Sequence, residues 1–133
     1  MKLQEIMTRK LESIASNATV HEAIEKMVDK RIRSLLVRAS HPSETDGVVT
    51  ARDVVFKVLA KGLHPLMVRV GEIACRPLRC VSQDETVEKV AALMEQANVA
   101  RVFVCDHGKI VGVVALMDIM QATLINRARN AHV

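Results

Sequence analysis

Two short runs in this chain carry an acid just after an apolar stretch: Thr50-Ala51-Arg52-Asp53 follows Gly47-Val48-Val49, and Ala115-Leu116-Met117-Asp118 follows Gly112-Val113-Val114. A strand that becomes a helix at such a point leaves the first helical N–H groups unbonded. Together with the positive end of the helix dipole they attract an anion such as phosphate. Thr50 can donate its hydroxyl to that phosphate. Asp53 would repel it, and its carboxylate suits instead the two hydroxyls of a ribose, which it can bridge as a double acceptor. The same spacing is also that of an ordinary capping box. On the residues alone, capping is the stronger reading. The second run keeps the acid and lacks the hydroxyl, so a ribose contact survives there and a phosphate contact does not.

Other candidate chemistry is sparse. His21, His41, His64, His107 and His132 share no spacing with a nucleophile, and neither a P-loop nor a G-x-G-x-x-G run is present, so no catalysis is expected. Cys105-Asp106-His107 has the makings of a metal edge, with Cys75 or Cys80 as further ligands. Tight tetrahedral sites show paired short spacings, which are missing here, so no metal is expected. The three cysteines are an odd number at no disulfide-like spacing; they read as two half-buried strand thiols and one beside a turn. The net charge of +4 favours an anionic partner. Nucleic acid is a poor fit, since two Phe and no Trp or Tyr provide no stacking platform. No apolar run approaches the roughly 18 residues that span a membrane. Met1-Lys2-Leu3-Gln4-Glu5 leads into no apolar segment of signal-peptide type, so the cytoplasm is the expected location.

The elements that must position the two acids come from an internal duplication. Leu3 falls on Val70, Arg9 on Arg76, Thr19-Val20 on Thr86-Val87, Met27 on Met94 and Val37 on Val104, a shift of 67 residues. From Gly47 the shift is 65, so that Gly47-Val48-Val49 falls on Gly112-Val113-Val114 and Asp53 on Asp118. The slip lies in the longer turn of the first repeat, Ser40 to Asp46, where insertions are tolerated. In each repeat a short extended piece precedes a helix that Thr19 or Thr86 starts, with Val20, Ala23, Ile24, Met27 and Val28 on one face of the first. Two apolar runs joined by a polar turn follow, then a second helix from Arg52 to near Gly62, or from Met117 to about Arg127. The unit is β-α-β-β-α given twice, repeat one over 1–66 and repeat two over 67–133. Half of such a unit cannot bury its sheet alone, so the copies are expected to pack sheet to sheet.

This order, the ending Gly-Val-Val-Thr-Ala-Arg-Asp and the opening Glu5-Ile6-Met7-Thr8 resemble the CBS (cystathionine-beta-synthase) domain family over about residues 3 to 125. The resemblance implies an α+β pair with pseudo-twofold symmetry, a Bateman module. Its cleft between repeats would hold an adenosine nucleotide: AMP, ADP or ATP, or else NAD or S-adenosylmethionine. It turns the balance at Thr50 and Asp53 toward a ligand role, with Asp118 as the second acid and Arg52 in the same turn. It also implies that the strand starts face the cleft, which makes Arg101, and Arg33 with Ser34, candidates near phosphate. The segments Thr8 to Lys10 and Cys75 to Arg76 resemble those that wrap the base through backbone atoms. Such modules regulate a partner protein and often dimerise. A homodimer is expected through apolar helix faces, Val54, Val55, Val58 and Leu59 with Ile119, Leu124 and Ile125. The alternative is a nucleic-acid or protein interaction module without a small ligand. Of the two acid turns, the one with Thr50 is expected to hold a phosphorylated ligand more tightly.

Overall fold

Each repeat folds as strand, helix, strand, strand and helix; the computed structural model describes residues 1–76, 78 and 80–131, without the side chains of 126–131. In the first repeat β1 (Ser13–Ala15) leads to α1 (Val20–Lys30), β2 (Ser34–Arg38), β3 (Gly47–Thr50) and α2 (Ala51–Val54). The last of these runs on as a π-helical turn, Val55–Leu59, in which Ala60 N–H reaches back to the Val55 carbonyl. A 3-10 turn (Pro65–Met67) and α3 (Val70–Ile73) connect to β4 (Cys80–Ser82), α4 (Val87–Ala97), β5 (Arg101–Asp106), β6 (Lys109–Ala115) and α5 (Leu116–Ala131). Each repeat forms a three-stranded sheet, ordered β1-β2-β3 or β4-β5-β6, with the first pair parallel and the second antiparallel.

The two long helices start and stop by matching devices. Thr19 accepts from Glu22 N–H, and Thr86 from Lys89 N–H, so each threonine caps an otherwise unbonded donor. Each helix ends on a left-handed residue, Arg31 at φ 54° and Asn98 at φ 53°. The following N–H then bonds back, Ile32 to Met27 and Val99 to Met94, which satisfies the last carbonyls. The apolar face of α1 buries Val20, Ala23 and Met27 against Leu35, Val37 and Val49 of the sheet. The face of α4 buries Val87, Val90 and Met94 against Val102, Val104 and Val114.

The sequence period and the compact unit do not coincide. The period divides the chain at 66 and 67, whereas the compact units are Glu12–Leu78 and Met1–Leu11 with Arg79–Val133. The opening segments of the repeats are exchanged. β3 and β6 are sheet edges whose outer backbone groups need partners. Val48 of β3 exchanges two backbone hydrogen bonds with Cys75, at 3.0 and 2.8 Å, and Val113 of β6 exchanges two with Thr8, at 2.9 and 3.0 Å. Cys75 and Thr8 are equivalent in the duplication, as are Val48 and Val113. Glycine permits this approach: a Cβ on Gly47 would lie 2.6 Å from the Cys75 carbonyl oxygen, and one on Gly112 2.7 Å from the Met7 sulfur.

The expected apolar helix faces need correction. Val54 and Val58 are buried in the core of their own unit, and Ile119 packs against the core of the other. Val55, Leu59, Leu124 and Ile125 are exposed, joined by Phe56, Leu116, Met117 and Met120. Residues four apart share a helix side, so Val54 and Val58 turn inward together.

Candidate nucleotide-binding turns

In the unit Glu12–Leu78, antiparallel pairing sets Ser34, the first residue of β2, opposite Thr50, the last of β3. Ala51 N–H then bonds the Arg33 carbonyl at 2.9 Å. Arg33, Ser34, Thr50, Arg52 and Asp53 therefore stand at one end of one sheet. Thr50 and Asp53 form a closed reciprocal cap: Thr50 N–H and its hydroxyl both donate to Asp53 Oδ2, at 2.9 and 3.0 Å, and Asp53 N–H donates to Thr50 Oγ1 at 3.1 Å. The hydroxyl proton expected for a phosphate is here directed at Asp53. Arg52 points elsewhere, its guanidinium carbon 4.7 Å from the Phe56 ring centre in a cation–π stack.

The other oxygen of Asp53 is also engaged. Lys57 Nζ lies 3.1 Å from Asp53 Oδ1 and 3.0 Å from the Ile73 carbonyl oxygen, with Cys75 Sγ 3.9 Å from both partners of the pair. Lys57 sits in the π turn and ties the helix to the segment that carries Cys75. Sequence reasoning passed over Lys57, although its spacing of four after an acid is a readable ion-pair signal. Arg76, next to Cys75, is turned away from this end. It donates to the Thr45 and Gly71 carbonyls, the Ser16 hydroxyl and the Glu44 carboxylate, and so clamps the long turn of the first repeat. The Ser16 hydroxyl and the Ser40 N–H hold the Glu44 carboxyl below its ordinary 4.5, with the Arg76 charge adding to the effect.

The unit Met1–Leu11 with Arg79–Val133 repeats the arrangement with different chemistry. Arg101 at the start of β5 is opposite Ala115, and Leu116 N–H bonds the Ala100 carbonyl at 3.1 Å. Asp118 Oδ2 accepts from Ala115 N–H at 2.8 Å, as Asp53 does from Thr50. The position equivalent to Lys57 is Ala122, which is buried in the core. Among the described residues no hydrogen bond reaches Asp118 Oδ1. Thr8 pairs with Val113, two residues before that turn, and Lys10 is exposed. The nine residues named from the sequence thus gather as two sets: Arg33, Ser34, Thr50, Arg52 and Asp53 in one unit, Thr8, Lys10, Arg101 and Asp118 in the other.

The cysteines depart from the sequence reading. Cys80 and Cys105 are joined as a disulfide, and Cys75 is free and exposed. Spacing could not show this, because parallel pairing of β4 with β5 is what brings the two together. Among the described residues no three His, Cys, Asp or Glu side chains converge as a metal cluster would require.

The CBS domain matches residues 3–60 and 70–124, one match for each copy of the duplicated β-α-β-β-α unit. The chain belongs to the CBS-domain family. An uncharacterized protein from Methanopyrus kandleri is 30% identical over 118 residues, 88% of this chain and 60% of its own. The chain therefore spans about three-fifths of that protein's length. Hypoxic response protein 1 of Mycobacterium tuberculosis is 28% identical, over 87% of this chain and 80% of its own. Among solved structures, the hexameric CBS-CP12 protein from bloom-forming cyanobacteria superposes with a TM-score of 0.81 at 36% identity, covering 90% of this chain and 69% of that one. A conserved protein from Pyrococcus horikoshii gives 0.81 at 25% identity, covering 92% and 91%.

Proposed function

We propose that this CBS pair is a regulatory module that binds an adenosine nucleotide and signals its bound state to a partner protein, without catalysis of its own. AMP, ADP and ATP are the first ligands in view, with NAD and S-adenosylmethionine as members of the same adenosine class. One observation carries the reading. Both repeats hold an aspartate at the same strand-to-helix turn, and a backbone N–H pins one oxygen of each, at 2.9 Å for Asp53 and 2.8 Å for Asp118. Pinning one oxygen fixes the carboxylate plane without further loss of rotamer freedom; the second oxygen of Asp53 meets Lys57 Nζ at 3.1 Å and keeps a further lone pair for a ligand donor. A carboxylate so held suits a ribose hydroxyl. Arg33 and Arg101 at the adjoining strand starts, and the net charge of +4, favour an anionic ligand.

Titration calorimetry with AMP, ATP and their 2′-deoxy forms tests this. Binding in the micromolar range is expected to weaken about tenfold on loss of the 2′-hydroxyl, the equivalent of one hydrogen bond to a charged group. Asp53→Ala or Asp118→Ala should remove a binding event. No heat with any adenosine nucleotide, and no rise in melting temperature, would overturn the assignment.

A further inference from the structure

The unit Met1–Leu11 with Arg79–Val133 carries a cysteine pair that its acid turn does not use. β4 runs parallel to β5 with Cys80 opposite Phe103 and Ser82 opposite Cys105. The two cysteines are therefore diagonal neighbours on one sheet face, the face turned away from the Val102 and Val104 core. Their Cα atoms are 5.9 Å apart, a separation that a disulfide bridges without backbone movement. The ladder between the strands maintains this separation whether or not the sulfurs are bonded. Cys80 is exposed and within reach of a dissolved oxidant; Cys105 is half-buried. The Cys105 sulfur also lies 3.4 Å from the Val81 carbonyl oxygen, so its thiol has an acceptor when reduced. Both states are thus accommodated by one backbone.

We propose that Cys80 and Cys105 are a reversible thiol-oxidation site whose oxidant is a hydroperoxide. The Cys80 sulfur attacks the peroxide. The O–O bond breaks, an S–O bond forms, and water or an alcohol leaves, so that sulfur loses the two electrons the peroxide gains. The Cys105 thiolate then attacks the Cys80 sulfenic acid; the S–S bond forms, the S–O bond breaks, and hydroxide leaves to take up the thiol proton as water. A dithiol reverses the step by two exchanges, returning both thiols and leaving as its own disulfide. The cross-link ties an edge strand of three residues, β4, to the central strand and closes a segment of sequence separation 25 around α4. It is independent of nucleotide binding, so the two proposals fail separately.

The test counts thiols in the full chain. Protein purified in reductant and desalted is treated with a small excess of hydrogen peroxide, alkylated and weighed. Reduced protein takes up three alkyl groups, one per cysteine. Oxidised protein is expected to take up one, at Cys75, with Cys80 and Cys105 peptides joined, and dithiothreitol restores all three. The oxidised form should melt roughly 5–10 °C higher, since a closed loop restricts the unfolded chain. Cys105→Ser should halt at a dimedone-reactive Cys80, and Cys75→Ser should leave the cross-link intact. Three free thiols after peroxide, a cross-link through Cys75 or between chains, or one that dithiothreitol cannot open would each overturn the proposal.

Discussion

Lys57 is the residue that separates two otherwise equivalent turns. Its ammonium offsets the Asp53 charge at 3.1 Å, whereas Asp118 has buried Ala122 four residues on. A phosphate is therefore repelled less at the Asp53 turn, and the expected preference of that turn for phosphorylated ligands gains a cause other than the Thr50 hydroxyl. Lys57 is 43% exposed, so screening limits its effect. Lys57→Met is expected to weaken ATP binding by about tenfold or less and to change adenosine binding little, measured by calorimetry. Equal or tighter ATP binding by the variant would remove Lys57 from that role. Glu44 sets a pH dependence at the same scale. Its carboxyl is held below 4.5 in the folded chain, chiefly by the Ser16 hydroxyl, so the unfolded chain binds its proton more readily. The stabilisation is complete above 4.5 and is lost as pH falls through the lower folded value. Acid unfolding of Glu44→Gln, followed by circular dichroism, should begin from a lower neutral stability and fall less steeply below that pH.

At the scale of elements, the exchanged opening segments depend on close backbone approach. A methyl on Gly47 meets the Cys75 carbonyl, which is backbone and cannot move without breaking the Val48 pairing. The nearest atom to a methyl on Gly112 is the flexible Met7 sulfur, with Met7 Cγ and the Thr8 carbonyl oxygen both at 3.0 Å. Gly47→Ala should cost roughly 1–3 kcal/mol in urea unfolding and Gly112→Ala less. A reversed order would show that the Cys75 segment is not held as described. Helix ends give the opposite sign. Arg31 occupies the left-handed region, where a side chain costs roughly 1–2 kcal/mol and glycine costs nothing sterically. Against the greater unfolded freedom of glycine, Arg31→Gly should still raise stability by roughly 0.5–1 kcal/mol, visible as a higher Tm.

At the scale of the molecule, the second helices leave apolar side chains in water. Phe56 is 52% exposed, Met120 58% and Leu124 55%. Scattered apolar residues are normal on a surface, but runs along both second helices are the mark of an interface. A homodimer is the expected state. Light scattering should report at least twice the 14.7 kDa chain mass, and Met120→Glu with Leu124→Glu should halve it without loss of secondary structure. A monomer mass for the parent chain at tens of micromolar would contradict this. No helix among the described residues is long and apolar enough to cross a membrane.

The duplication, the order of elements and the placing of both acids were legible from the chain alone. All three rest on short-range physics: threonine caps, apolar side chains at helical spacing, and polar turns between apolar runs. The family followed from the same residues. What the sequence left open depends on which strands meet and in what register. The period puts Thr8 with the first repeat and Cys75 with the second, yet each completes the sheet edge of the other, because an open edge is satisfied by whichever segment reaches it. Register alone makes Cys80 and Cys105 diagonal neighbours across residues 25 apart. The inward turn of Val54 and Val58, and the reach of Lys57 to both Asp53 and the Ile73 carbonyl, likewise required the helix to be set against its sheet. Local patterns name the parts, and only tertiary packing assigns their partners.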